Sequence, residues 1–153
     1  MLEKPSLPDD VLIACLQEAY GLAARQLIFL PLGADVNAAV YRLQAEPGQA
    51  YFVKLKRGAF AEIGVTLPDF LHAQGIPQII APRRTLDGQL WAGLADYRVI
   101  VYPFVQGRNG FEVVLSPRQW ADFGAALKRI HTLQLPAGLA RAIPRETYAP
   151  QFR

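Results

Sequence analysis

An α+β domain is the architecture this sequence predicts: one antiparallel sheet, a helix packed on it, and a further helix towards either end. Three observations carry that prediction. Two short segments with alternating faces, Val40–Leu43 and Ala50–Lys56, are joined by Glu46-Pro47-Gly48-Gln49, which has Pro and Gly at its central positions. A second turn signal, Leu86-Asp87-Gly88-Gln89, sits between two more apolar segments. Apolar residues at helical spacing fill three separate stretches.

In chain order, Pro8-Asp9-Asp10 opens a helix that runs to Tyr20 and stops at Gly21, with Leu12, Cys15, Leu16 and Tyr20 on one face. Gln26 to Leu32 reads as a strand, and Gly33-Ala34-Asp35-Val36-Asn37 as a loop. In the strand from Ala50 to Lys56, Tyr51, Val53 and Leu55 take one side; Phe52, Lys54 and Lys56 take the other. Ala59 to Gln74 has helical periodicity with Gly75 as terminator, and Pro68 predicts a kink or two shorter segments. Ile79 to Thr85, Leu90 to Leu94 and Tyr97 to Tyr102 read as strands, the last stopped by Pro103. The middle of the chain thus holds three strands, a helix and two or three more strands, expected to form a five-stranded sheet. A helix from Pro117 to about Leu133, capped by Ser116, precedes an irregular tail marked by Pro136, Pro144 and Pro150.

The bulk properties narrow the function classes. The chain has 153 residues, 52% of them hydrophobic and 19% charged, too apolar for disorder. Its net charge of +3 is mildly basic, and the basic residues are dispersed. Their longest cluster, Lys54-Leu55-Lys56-Arg57, reads as a strand feeding a solvated turn, so no nucleic-acid partner is expected and a nucleotide fits the charge as well. No membrane span is expected, because Glu18 and Arg25 interrupt the most apolar stretch. Met1-Leu2-Glu3-Lys4-Pro5 is not a signal peptide. The single cysteine, Cys15, reads as a buried small hydrophobe and agrees with a cytoplasmic location.

Three features carry candidate chemistry. A loop between two strands contains Gly33; Lys54 stands mid-strand with Glu62 eight positions on; and a strand ends at Tyr102-Pro103-Phe104-Val105-Gln106-Gly107. Each has an ordinary reading alone: a plain turn, a strand charge with a solvent-facing helix residue, a strand end. In this order they match the nucleotide-binding lobe of a kinase, with a flap over phosphates, a strand lysine, a helix carboxylate and a hinge. A triphosphate needs a fixed cation, and a carboxylate can hold a loose lysine in place. Pro103 lacks an N–H but keeps a carbonyl to accept from adenine; Val105 can donate. Asp122-Phe123-Gly124 imitates a kinase magnesium signature but follows no catalytic loop, and Phe123 belongs to a helical stripe with Trp120, Leu127 and Ile130.

Leu30–Leu43, Tyr51-Phe52-Val53-Lys54-Leu55, Glu62, the hinge Val101–Gly107 and Leu127-Lys128-Arg129-Ile130-His131 together resemble the aminoglycoside phosphotransferase and choline kinase superfamily. The tail Pro144–Arg153 is similar to spectinomycin-type members. The resemblance implies a kinase-like small lobe over residues 1–106 and the beginning of a second lobe over 107–153. It implies ATP as cofactor, with magnesium in full-length relatives, and phosphorylation of a hydroxyl on an aminocyclitol, choline or related alcohol. Lys54 would contact the α- and β-phosphates and Glu62 would pair with it. Pro103 and Val105 would meet adenine, with Tyr102 behind them, and Gly33, Asp35 and Asn37 would lie over the phosphates.

The departures are as informative. The loop has one glycine rather than a G-x-G-x-x-G set. Neither His72 nor His131 begins an H-G-D-x-x-x-x-N loop. The family's base and magnesium ligands would lie beyond Arg153, so no catalytic or metal-ligating residue is expected within this sequence. Two readings follow: the ATP-binding half of a small-molecule phosphotransferase, inactive alone, or a binding module that self-associates or pairs with a separate C-terminal half. An α+β domain unrelated to kinases would instead place Lys54 and Glu62 pointing apart.

Overall fold

The computed structural model describes residues 3–33, 35–108, 110 and 112–145. Helix α1 (Asp9–Tyr20) leads into strand β1 (Gln26–Leu30), β2 (Ala38–Glu46) and β3 (Gln49–Arg57). Helix α2 (Ile63–Ala73), β4 (Ala92–Leu94) and β5 (Tyr97–Pro103) follow, then α3 (Pro117–Thr132) and α4 (Ala137–Ala142). The strands form one antiparallel sheet in the order β1-β2-β3-β5-β4, the five-stranded α+β arrangement that the sequence predicts.

Register decides what each face of the sheet does, since directly opposed residues in an antiparallel pair share a face. Phe29, Tyr41, Val53 and Val101 form one cross-strand row; Ala39, Leu55 and Val99 form the next. Both rows pack against Leu12, Cys15, Leu16 and Tyr20 of α1 in the main core. The α1 face is the one expected, and the helix ends at Gly21 in the left-handed conformation (φ 67°). Inside this core the Tyr20 phenol donates to the Val99 carbonyl at 2.7 Å. Burial pushes the Cys15 thiol above its ordinary pKa, as suits a packing residue.

The opposite face carries the rows Leu30–Val40–Lys54–Ile100 and Ile28–Arg42–Phe52–Tyr102. Helix α2 covers only its β5 side, where Val65 packs with Ile100 and Leu90. The β1–β3 side of that face stays open.

Several elements depart from expectation. Ile79–Thr85 is not a strand: Pro82 interrupts it, and its Arg83 N–H donates once to the Val101 carbonyl at 2.7 Å. The turn at Leu86–Gln89 therefore joins no ladder strands; Thr85 closes it by accepting from Gln89 N–H through its hydroxyl at 2.8 Å. The hairpin leading into β5 turns at Ala95-Asp96 instead, with Ala95 at φ 51°. Helix α2 begins at Ile63 rather than Ala59, and it is one helix with Pro68 inside it. A short helix, α4, stands where an irregular tail was expected. The tail from Glu146 onward lies outside the described residues, as does Ala34 of the flap loop.

Helix α3 is built as predicted, with Pro117 at its start and a reciprocal Ser116–Gln119 capping box. It docks Ala126 against Leu71 and Ile76, beside Leu133 and Ile130. Of the helical stripe, Ile130 packs in this cluster, whereas Trp120 is 57% exposed, Phe123 54% and Leu127 41%. Asp122 lies within α3 and faces Arg118 one turn back at 4.0 Å, so Asp122-Phe123-Gly124 is ordinary helix.

Candidate nucleotide site

The open part of the second face is a cleft of about 550 Å³, lined by Leu30, Leu32, Phe52, Lys54, Ile80 and the segment Tyr102–Val105. Its size and mainly apolar lining suit a small aromatic ligand. Alternation along β3 puts Phe52 and Lys54 into it, while Val53 and Leu55 turn to the α1 core. Phe52 and Tyr102 meet edge to face at the floor, with ring centroids 6.4 Å apart. Burial raises the Tyr102 phenol above its ordinary pKa, so it stays neutral. The Arg42 guanidinium lies over the Phe104 ring, 4.7 Å from its centroid, and fixes how the chain leaves β5.

Backbone pairing prepares the rim. Phe104 N–H donates to the Ala50 carbonyl at 3.1 Å, which makes Ala50/Phe104 a hydrogen-bonded pair. The neighbouring pair, Tyr51/Pro103, is then of the non-bonded kind, so the Pro103 carbonyl points away from β3. Proline suits that position, having no N–H to offer the ladder. Among the described residues, Val105 N–H donates to no protein acceptor. Among the described residues, one carbonyl and, two residues on, one amide thus stand unpaired at the cleft's edge.

The flap lies at the other end of the same face. Asp35 Oδ2 accepts from Lys56 Nζ at 2.7 Å, and Asp35 Oδ1 accepts from Asn37 N–H at 3.0 Å. The Lys56 bond, then the Asn37 amide, hold the Asp35 carboxyl below its ordinary pKa, with a smaller contribution from the charge of Lys54. Gly33 adopts φ 98°, a conformation glycine reaches without strain.

The structure thus brings Lys54, Tyr102, Pro103 and Val105 together around one cleft. Gly33, Asp35 and Asn37 do not line it: Asp35 is tied to Lys56, two residues from Lys54 on the same strand face, and Asn37 lines a separate pocket with Arg57 and Tyr97. It does not bring Lys54 to Glu62. Among the described residues Lys54 is in no ion pair. Because α2 starts late, Glu62 sits at its N-cap, exposed and with no side-chain capping bond, rather than one turn inside the helix. Lys54 and α2 nonetheless share a face of the sheet, through Ile100.

Sequence reasoning missed most of the apolar lining. Phe52 was legible, since alternation puts it beside Lys54. Ile80 was not, because its segment reads as a strand. Lys56 was passed over as part of a charge cluster at a strand end.

The phosphotransferase enzyme family matches residues 28–153. Spectinomycin phosphotransferase APH(9)-Ia, solved with ADP and spectinomycin, is similar at 34% identity and a TM-score of 0.88, over 97% of this chain and 44% of that one. The AMP-bound complex of the same enzyme gives 32% identity and a TM-score of 0.81, over 93% and 43%. An amicoumacin kinase solved with AMP-PNP and Ca2+ shares the fold, at 17% identity and a TM-score of 0.61, over 87% of this chain and 43% of that one. No curated protein matches the chain significantly. The chain spans less than half the length of these solved relatives. Sheet, cleft and family match converge: this chain belongs to the phosphotransferase enzyme family.

Proposed function

We propose that these 153 residues form the nucleotide-binding part of a small-molecule phosphotransferase of the aminoglycoside and aminocyclitol type, taking ATP in the cleft of Phe52, Lys54 and Tyr102–Val105. One observation carries the reading: among the described residues, an apolar slot bears an unpaired carbonyl and an unpaired amide two residues apart at one end and a lysine without an ion-pair partner at the other. A planar base with one donor and one acceptor edge fits the rim, and a polyphosphate fits the lysine. Relatives solved with ADP, AMP and AMP-PNP support a nucleotide as the ligand. Glu62, at the start of α2, joins the site as the partner of Lys54 when bound phosphates order that side of the cleft.

Magnesium fits less well. Among the described residues no group of three His, Cys, Asp or Glu side chains is placed to hold a metal ion, so no step is assigned to one. Nor does any described residue stand as a base beside the cleft. On this reading the 153 residues bind nucleotide, and the transfer of its γ-phosphate to a substrate hydroxyl requires groups supplied from elsewhere. No described helix is long and apolar enough to cross a membrane; we place the protein in the cytoplasm.

Calorimetric titration with ADP and with adenosine tests this reading. Lys54→Ala is expected to weaken ADP about tenfold or more and to leave adenosine nearly unchanged, because a charge-assisted phosphate contact alone is removed. Equal ADP affinity in the variant and the parent would remove Lys54 from the site.

A second reading is favoured by the exposed stripe Trp120–Phe123–Leu127 on α3. An apolar face of that kind suits association, either with a segment like the one that completes the longer relatives or with a second copy of this chain. Sedimentation equilibrium that returns a strict monomer, together with no gain in mass on mixing with a relative's C-terminal half, would count against it.

A further inference from the structure

Beside the cleft, on the strand face that carries Lys54, the protein holds an anion of its own. The Asp35 carboxylate is held by Lys56 Nζ at 2.7 Å and by Asn37 N–H at 3.0 Å, within electrostatic reach of Lys54. Two ammonium groups on one strand face and a loop amide are the donors that would grip a phosphate. We propose that Lys54, Lys56 and the Asn37 amide form a phosphate subsite that Asp35 occupies when no nucleotide is bound, so that a polyphosphate must displace this carboxylate to enter.

The arrangement follows from register. Lys56 stands opposite Ala38, the first residue of β2, so the loop that precedes β2 folds directly over it. Lys54 lies two positions along on the same face, on the side of the adenine slot. The Lys56 side chain is only 19% exposed and Asp35 is 41% exposed, so the lysine is sheltered by the loop that supplies its partner. Asn37 is fixed as well: its carbonyl accepts from Arg57 N–H at 2.9 Å, while its own N–H donates to Asp35 Oδ1 inside the turn closed by Ala38 N–H on the Asp35 carbonyl. A phosphate entering there takes over the contacts of a carboxylate, and Asp35 swings to solvent. Asp35 therefore opposes phosphate binding in proportion to its negative charge, and it discriminates against weakly charged ligands that cannot displace it. The nucleotide part of this proposal rests on the function proposed above; the anion subsite does not.

The test uses the whole chain and three probes: tripolyphosphate, ADP and adenosine. Asp35→Asn keeps an oxygen for Asn37 N–H but drops the charge. It is expected to tighten tripolyphosphate and ADP by roughly three- to tenfold and to leave adenosine unchanged. Asp96→Asn, which removes the same charge from a pair with Arg57, the next residue of β3 but on the opposite face of the strand, is expected to give no such gain. The gain is also expected to vanish when Asp35→Asn is combined with Lys56→Met. Weaker or unchanged tripolyphosphate binding in Asp35→Asn overturns the proposal, as does a gain that survives Lys56→Met or appears equally in Asp96→Asn. Tripolyphosphate binding to neither parent nor variant overturns it too. A tripolyphosphate gain with no binding of ADP or adenosine upholds the subsite and rejects the nucleotide reading.

Discussion

Lys54 and Ile100 stand opposite each other across the β3–β5 ladder, so the lysine rises from the face on which Val65 of α2 packs against Ile100. That single register relationship puts a cation, an aromatic floor and the end of β5 on one surface. A slip of one residue in β3 would turn Lys54 into the α1 core and Val53 into the cleft.

The rim makes a prediction that separates base binding from phosphate binding. Val105→Pro removes the unpaired N–H while extending a segment that already leaves the sheet. It is expected to weaken adenosine and ADP by the same factor, about three- to thirtyfold, the loss of one hydrogen bond in a sheltered site. Parallel titrations of the two ligands check this, and a loss confined to ADP would contradict it.

The core makes a stability prediction. Tyr20→Phe deletes the buried bond to the Val99 carbonyl and leaves that oxygen without its phenol donor. Urea unfolding is expected to show a loss of about 1–2 kcal/mol, with nucleotide affinity unchanged because α1 lies on the far face of the sheet. Tyr41 contrasts with it. Its hydroxyl has no partner among the described residues and burial pushes its pKa up to about 12, so Tyr41→Phe is expected to cost less than Tyr20→Phe.

Helix α3 starts on a capping box, and Ser116→Ala removes the half in which the Ser116 hydroxyl accepts from Gln119 N–H, leaving the backbone N–H of residue 116 to donate to Gln119 Oε1. Amide exchange in the first turn of α3 is expected to accelerate in keeping with a loss of about 0.5–2 kcal/mol. Exchange in β3 and β5 should not change, since only Ala126 of α3 is buried.

Acid sensitivity follows from the flap. The folded-state pKa of Asp35 is depressed, first by Lys56 and then by the Asn37 amide. A depressed carboxyl contributes stability above its unfolded pKa, and that contribution is lost as pH falls through the folded value. The parent chain is therefore expected to lose stability relative to Asp35→Asn as pH drops below about 4, and to show a constant difference from it near neutrality. Thermal unfolding at a series of pH values measures this. A difference that does not change with pH would detach Asp35 from Lys56.

Much of the fold was legible because its signals are local. Gly21 stopping α1, the Pro-Gly turn before β3 and the Ser116-Pro117 start of α3 each depend on a few adjacent residues. The failures are those of tertiary context. Ile79–Thr85 has strand-like composition, but Pro82 and a lone bond to Val101 leave it outside the ladder. The α3 stripe has the period of a buried face, yet period alone does not say what covers it. At the site, the order of loop, lysine and hinge was readable. The distance between Lys54 and Glu62 was not, because it depends on where α2 begins. The Asp35–Lys56 bond was invisible for a similar reason: it joins residues 21 positions apart through the register of β2 on β3.

The central claim, that the cleft beneath the flap is where nucleotide binds, is tested most directly by following backbone amides during titration with ADP by heteronuclear NMR. The account predicts that the largest shifts fall on Val105, Leu32, Lys54 and Asn37 and saturate together. Saturating ADP that leaves these four amides unmoved, or that shifts only residues of α1 and β4, would contradict it.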